Sequence, residues 1–321
     1  MEKHFSTHAA GSRLGRRRVQ VSGAAGLVSV ATLLLMCAVP MRPTERGADG
    51  PGGALPLNVA RKSASDLEVG GELAGLPSGS TRYVTVNSLL RLPQVEYNVT
   101  DDTNFTGRAK IGGVALEELA RVLGAAPGSD MVVAICDDKY RANYPRGYMA
   151  AHHPLLVLRV NGQPASLWPK DPETHQLSMG PYMISHPKFT PAFKILSHTD
   201  QAQIPWGVVR IELRDETAVF GAITPRGMHA GEPAVQAGYR IAQQNCYRCH
   251  NMGKEGGEKS GRPWLVLVAW AAAAPDYFSA YVRDPKKKNR HAEMPGNAGY
   301  DDETIRAIRK YFATFAGLEK P

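Results

Sequence analysis

Asn245-Cys246-Tyr247-Arg248-Cys249-His250 is the stretch on which the reading of this chain turns. Two thiols three positions apart, with an imidazole immediately after, have the spacing that attaches a c-type haem. Each thiol can form a thioether with a vinyl group on one edge of a porphyrin, and the next residue then falls under the ring. Cys246 and Cys249 are therefore the candidate covalent anchors, and His250 the candidate proximal iron ligand. A structural zinc site needs four ligands, and the other cysteines, Cys37 and Cys136, are isolated far upstream. A thioredoxin-type pair belongs at a helix start after a strand, whereas this pair ends a helical pattern.

The 321 residues allow about two domains and an ample core. The net charge of +8 suggests a nucleic-acid partner until it is located: residues 1–50 hold seven Lys/Arg and three acids, half of the excess. No basic helix interleaved with aromatics remains elsewhere, so nucleic acid is set aside. Arg13, Arg16, Arg17 and Arg18 precede a mostly apolar run from Val19 to Val39, which is the pattern of an export signal. Residues 1–40 are expected to be a signal peptide or, if uncleaved, an N-terminal membrane anchor with its basic end in the cytoplasm. The body is then expected in the periplasm, soluble or tethered to the inner membrane.

Residues 41–65, rich in Pro, Gly, Ala and Ser, are expected to be a flexible linker. Tyr83-Val84-Thr85-Val86 and Gln94 to Val99 alternate like half-buried strands, Val114 to Leu123 has helical spacing, and Met131 to Cys136 is a buried-strand candidate. Pro154 to Val160 is another strand, with a tight turn at Asn161-Gly162, and Trp206 to Leu213 alternates again. Residues 66–220 therefore predict an α+β domain richer in strands than in helices. Gly221, Pro225, Gly227 and Gly231 mark a second boundary over 221–231. Beyond it the periodicity is helical, ending in Asp301 to Phe315 with Ile305, Ile308, Phe312 and Phe315 on one face.

Residues 232–318 resemble a class I cytochrome c domain, an all-α fold. Beyond the Cys-x-x-Cys-His motif, Gly238 stands where that family needs a small residue for its first and last helices to cross. Pro263-Trp264-Leu265 resembles the turn that orients the proximal His, and Tyr281-Val282-x-x-Pro285 the segment before the distal ligand. Met294-Pro295 resembles the distal loop, and Tyr311 lies where the last helix carries an aromatic near the porphyrin. Ala242 departs from the pattern, since an aromatic often stands there. Independently of the resemblance, Met294 lies 44 residues after His250, far enough for the chain to round the porphyrin edge. Met252 is too close to His250, Met228 precedes the first helix, and His291 remains the competing sixth ligand.

Residues 66–220 resemble the molybdopterin-binding domain of the sulfite oxidase family. The resemblance rests on Gly112-Gly113-Val114-Ala115-Leu116, on Val133 to Tyr140, on Pro154 to Gln163 and on Ile204 to Leu213. That family binds molybdenum through a Cys just upstream of the first of these motifs, where this chain reads Tyr97-Asn98-Val99-Thr100-Asp101-Asp102 without sulfur. A molybdopterin cofactor is therefore not expected, and Cys136 is read as a small buried residue. Asp138, Lys139, Tyr140, Arg141, Asn143, Arg146, His152 and His153 form a polar segment that could hold an anion or serve as surface charge.

The expected molecule is multidomain, a strand-rich α+β domain followed by an all-α cytochrome c domain carrying one haem c. With both axial positions filled by protein, its role is electron transfer to or from a redox partner protein rather than catalysis. Lys286-Lys287-Lys288 and Arg290 offer a basic docking surface or a solvated loop. Two alternatives stay open: a molybdopterin-dependent oxidoreductase passing electrons to its fused haem, and an anion-binding or redox-sensing module.

Overall fold

The alternating apolar residues of the first half pair into one sheet. The computed structural model describes residues 55–170, 178–188 and 203–317. The nine strands of this sheet are β1 (Leu67–Gly71), β2 (Arg82–Val84), β3 (Val95–Val99), β4 (Ala109–Ala115), β5 (Met131–Cys136), β6 (Arg141–Pro145), β7 (Leu155–Val160), β8 (Tyr182–Ser185) and β9 (Trp206–Arg214). The main path runs β2-β1-β9-β8-β7-β4-β3, and the β5–β6 hairpin joins through β5 to β9. Only β1 and β9 pair in parallel. Three helices accompany the sheet: α1 (Val86–Leu90), α2 (Leu116–Leu123) and α3 (Arg146–His152).

Two departures from the sequence reading have local causes. The strand expected over 83–86 stops at Val84, because the Thr85 hydroxyl accepts from the Ser88 N–H at 3.2 Å and starts α1 instead. Asn161 and Gly162 do make a tight turn, both at positive φ (51° and 77°). The chain then enters a short 3-10 turn at Ala165–Leu167 rather than a second strand.

Strand β5, Met-Val-Val-Ala-Ile-Cys, is apolar at every position because it feeds two cores. Val132, Ala134 and Cys136 point into a core shared with Leu116, Leu119, Tyr144 and Tyr148. Met131 and Val133 point the other way, into a core shared with Val219, Phe220, Tyr247, Trp264 and Phe312. The period of two along a strand thus joins the sheet to the helical region, and the described residues fall within one compact unit.

That helical region contains α4 (Glu216–Gly221), α5 (Pro233–Ile241), α6 (Trp264–Ala273), α7 (Pro275–Arg283), α8 (Pro285–Lys288) and α9 (Asp302–Ala313). The Asp301 carboxylate caps α9 by accepting from the Thr304 N–H at 2.9 Å, and Ile305, Ile308, Phe312 and Phe315 are all buried. Helices α5 and α9 cross at Gly238, where a Cβ would lie 2.1 Å from the Ala307 carbonyl oxygen. Within 221–231, Ile223 is buried and its carbonyl accepts from the Tyr311 hydroxyl at 2.6 Å. Among the described residues no helix is long and apolar enough to cross a membrane. The leader expected over 1–40, and most of the linker after it, lie outside the described residues.

Candidate functional site

Helix α5 does not continue as an α-helix into the cysteines. Residues Ala242–Cys246 form a π-helical turn, a wider coil that recurs at functional positions. It delivers Cys246, Cys249 and His250 to one side of a cavity of about 680 Å³. Ile241, Leu267, Trp270, Phe278, Tyr281 and Ile308 supply apolar wall, and residues 289–295 of the loop after α8 contribute Met294, His291 and Asn289. The sequence-predicted anchors, proximal ligand and distal candidates therefore line one cavity.

His250 is already oriented. Its Nδ1 donates to the Arg262 carbonyl at 2.8 Å, and Ser260 Oγ lies 2.9 Å from the same nitrogen. Burial holds the imidazole below its ordinary pKa, with the Arg262 charge adding to the effect and the Arg262 carbonyl opposing it. At neutral pH the ring is thus uncharged with its proton on Nδ1, which leaves Nε2 as the metal-binding atom. The acceptor is the carbonyl of the residue before Pro263, while Pro263 itself caps the start of α6.

Burial pushes the Cys246 thiol up to about 12 and also raises Cys249, against the opposing charges of Lys259 and Arg248. A redox-active pair works through a thiolate at neutral pH, which this burial opposes. Cys136 is buried at the end of β5 and its thiol is pushed far up, first by burial and then by Asp138 and Asp137.

The distal candidates differ in their surroundings. Met294 is half-buried, whereas His291 is exposed and its Nε2 takes a hydrogen bond from Arg290 Nε at 2.9 Å. Tyr311 stands behind the cavity wall, fully buried, its ring stacked on Tyr239 at 5.6 Å.

The sheet contributes to the site in a way no sequence motif announced. Tyr140, from the turn between β5 and β6, lines the same cavity as Cys249. Next to it the Arg141 N–H donates to the Arg248 carbonyl at 2.9 Å, so the attachment turn extends the edge of β6. The Arg141 guanidinium is buried and held by Glu255 at 3.4 Å and Glu212 at 3.8 Å, and it donates to the Gly256 carbonyl. Burial pushes Glu212 up, but the guanidiniums of Arg210, Arg141 and Arg214 outweigh it and hold the carboxyl below its usual range. Asp138 pairs with Lys259. Thus four of the polar residues noted in 137–153, namely Asp138, Lys139, Tyr140 and Arg141, meet the helical region, Lys139 through Glu258 at 3.7 Å.

Others close on the sheet itself. The Tyr148 hydroxyl lies 2.8 Å from His186 Nε2, and the Gln203 side chain brackets Asn143, donating to its carbonyl at 2.6 Å and accepting from its N–H at 3.0 Å. The Ser185 hydroxyl donates to buried Asp102 at 2.5 Å. His153 takes the left-handed position that ends α3, and His152 packs edge-on against Tyr148, so the two imidazoles share no site.

The cavity holds two cysteines on one turn, an imidazole with its far nitrogen tied down, a thioether in the loop and an apolar aromatic wall. This donor set fits a haem c. Residues 233–312 match the family described as cytochrome C oxidase, cbb3-type, subunit III. No curated protein matches the chain. Among solved structures, the sulfane dehydrogenase SoxCD from Paracoccus pantotrophus aligns at 15% identity with a TM-score of 0.33. That alignment covers 49% of this chain and 40% of the other, so the chain spans well under half of that relative's length. The chain's C-terminal region is a cytochrome c domain, which implies haem c and supports electron transfer, and it follows a strand-rich sheet domain.

Proposed function

We propose that this protein is an exported mono-haem c-type cytochrome that passes single electrons between redox proteins, with the sheet domain as a scaffold for the haem turn. The observation that carries the reading is the convergence of Cys246, Cys249, His250 and Met294 on one cavity. Haem c, when bound, supplies an iron that gains and loses one electron. Cys246 and Cys249 would hold it through thioethers, His250 Nε2 from one face and the Met294 sulfur from the other. Ser260 and the Arg262 carbonyl fix the His250 ring, and the apolar wall excludes water. Met294 is preferred to His291 because it is the less exposed and because Arg290 already occupies His291 Nε2.

With His250 and Met294 both holding the iron, the bound group would supply one-electron transfer without bond making to a substrate. Exposed Lys286, Lys287, Lys288 and Arg290, beside the distal loop, suit an acidic redox partner by steering its approach. The export reading rests on the basic residues Arg13 to Arg18 and the apolar run Val19 to Val39, and it agrees with attachment of c-type haem outside the bacterial cytoplasm. For molybdopterin the donor set is poor: Cys136 is buried at the end of β5, and no sulfur stands in β3 or the turn after it.

The deciding experiment is expression of the full chain with a working haem-attachment system, followed by haem staining after denaturation. The wild type is expected to retain one haem, and Cys246→Ala with Cys249→Ala to lose it. Equal staining of wild type and the double variant would refute the assignment.

A further inference from the structure

Two arginines are buried where the sheet meets the cytochrome domain, and they are treated very differently. Arg141 has two carboxylates. Arg248, between the two cysteines and only 8% exposed, forms no ion pair with any carboxylate among the described residues. Its Nε and Nη2 find no hydrogen-bond partner there either. Its charge falls instead on the hydroxyls of Tyr140, Tyr144 and Tyr148, lowering each pKa against the larger upward push of burial.

An arginine stays charged wherever it is placed, and burying its charge without a counter-ion is costly. Here the Nε and Nη2 atoms are shut off from solvent, and the backbone beneath them is held on both sides. The Arg141 N–H holds the Arg248 carbonyl from the sheet side. Gly257 packs so closely that a Cβ there would lie 1.7 Å from the same oxygen. Tyr140 and Arg248 both border the cavity. A cation fixed in this medium, one residue from Cys249 and two from His250, acts on the cavity through a low dielectric and is little screened by salt.

We propose that Arg248 is a positioned buried charge that raises the reduction potential of the haem, and that the sheet domain's role includes keeping water away from it. The inference rests on the haem reading above. In the one-electron step, Fe(III) takes an electron from a reduced redox protein and becomes Fe(II). The oxidised centre carries one more positive charge, so Arg248 disfavours it relative to the reduced one. Surface lysines 286–288 act in the same direction, but salt screens them.

The test compares the full-length, haem-loaded wild type with Arg248→Gln and Arg248→Lys by spectroelectrochemical titration at low and high salt, and by heat denaturation. Arg248→Gln is expected to lower the midpoint potential by the same amount at both salt concentrations, and Arg248→Lys to keep most of the wild-type value. The Gln variant is expected to melt no earlier than wild type, because an uncompensated buried charge has been removed; a packing role would instead lower its melting temperature. An unchanged potential in Arg248→Gln, or an equal fall in Arg248→Lys, would overturn the proposal. Should Arg248→Gln fail to fold, Tyr140→Ala, which admits water to the guanidinium, is expected to lower the potential and make it salt-sensitive; no change there overturns the proposal too. Wild type without covalent haem would be seen before any variant is compared, and would remove the haem reading and this inference together.

Discussion

The polar interior of the sheet domain and that of the cytochrome domain are built on opposite plans. In the sheet, most buried polar groups turn toward one another, Ser185 to Asp102, Tyr148 to His186 and Gln203 to the Asn143 backbone, although the Asn143 side-chain amide has no hydrogen-bond partner among the described residues. In the cytochrome domain they line a cavity of about 680 Å³, with the His250 ring tied from behind so that its other nitrogen faces inward. Closed clusters give a fold cohesion, because a buried group without a partner costs about 1–3 kcal/mol. Groups arrayed around a cavity give reception instead, since their remaining valences await a cofactor.

Disturbing one plan should leave the other readable. Met294→Ala is expected to abolish the sulfur-to-iron absorption band of the oxidised, haem-loaded protein; a band that survives would transfer the distal role to His291. Gly238→Val sets a side chain against the Ala307 carbonyl and is expected to destabilise the helical region by about 3 kcal/mol, read from urea midpoints by haem absorbance. The sheet should answer chiefly to pH. Burial lowers His186 to about 3, below the roughly 6.5 of an unfolded chain, so the folded state resists its protonation. The stability this provides is complete above about pH 6.5 and drains away as pH falls toward 3, by about 2 kcal/mol at pH 5. Urea midpoints of wild type and His186→Gln at pH 7 and pH 5 check this, and an equal pH response in the two proteins would remove His186 from the account. The smallest effect is expected from Ser260→Ala: with the Arg262 carbonyl still in place, the His250 ring keeps its tautomer and the midpoint potential shifts only slightly.

What the sequence disclosed and what it withheld follow the range of the interactions. The attachment motif, the apolar face of α9 and the small residue at Gly238 are local patterns; the structure buries that face and puts Gly238 at the α5–α9 crossing. Strand β5 was legible as buried, but only the fold shows that its alternate residues serve two cores. Tyr140 and Arg141 looked like members of a generic polar segment; the partners of Arg141 lie between 71 residues on, at Glu212, and 115 residues on, at Gly256, and no spacing rule spans such distances. Thr85 is the opposite failure, a local signal that the strand-like alternation around it masked.

The π-helical turn at Ala242–Cys246 bears on how the cytochrome domain holds its orientation. A π turn amounts to an α-helix with one residue inserted, and each residue of an α-helix advances the azimuth by about 100°. If the five residues Ala242–Cys246 were wound at ordinary α pitch, the first cysteine would swing out of phase with the wall it now faces; removing one of the buried glutamines, Gln243 or Gln244, would give an α-helix that keeps the phase. The wide coil thus takes up an extra residue while holding the angular alignment of the attachment turn against α9.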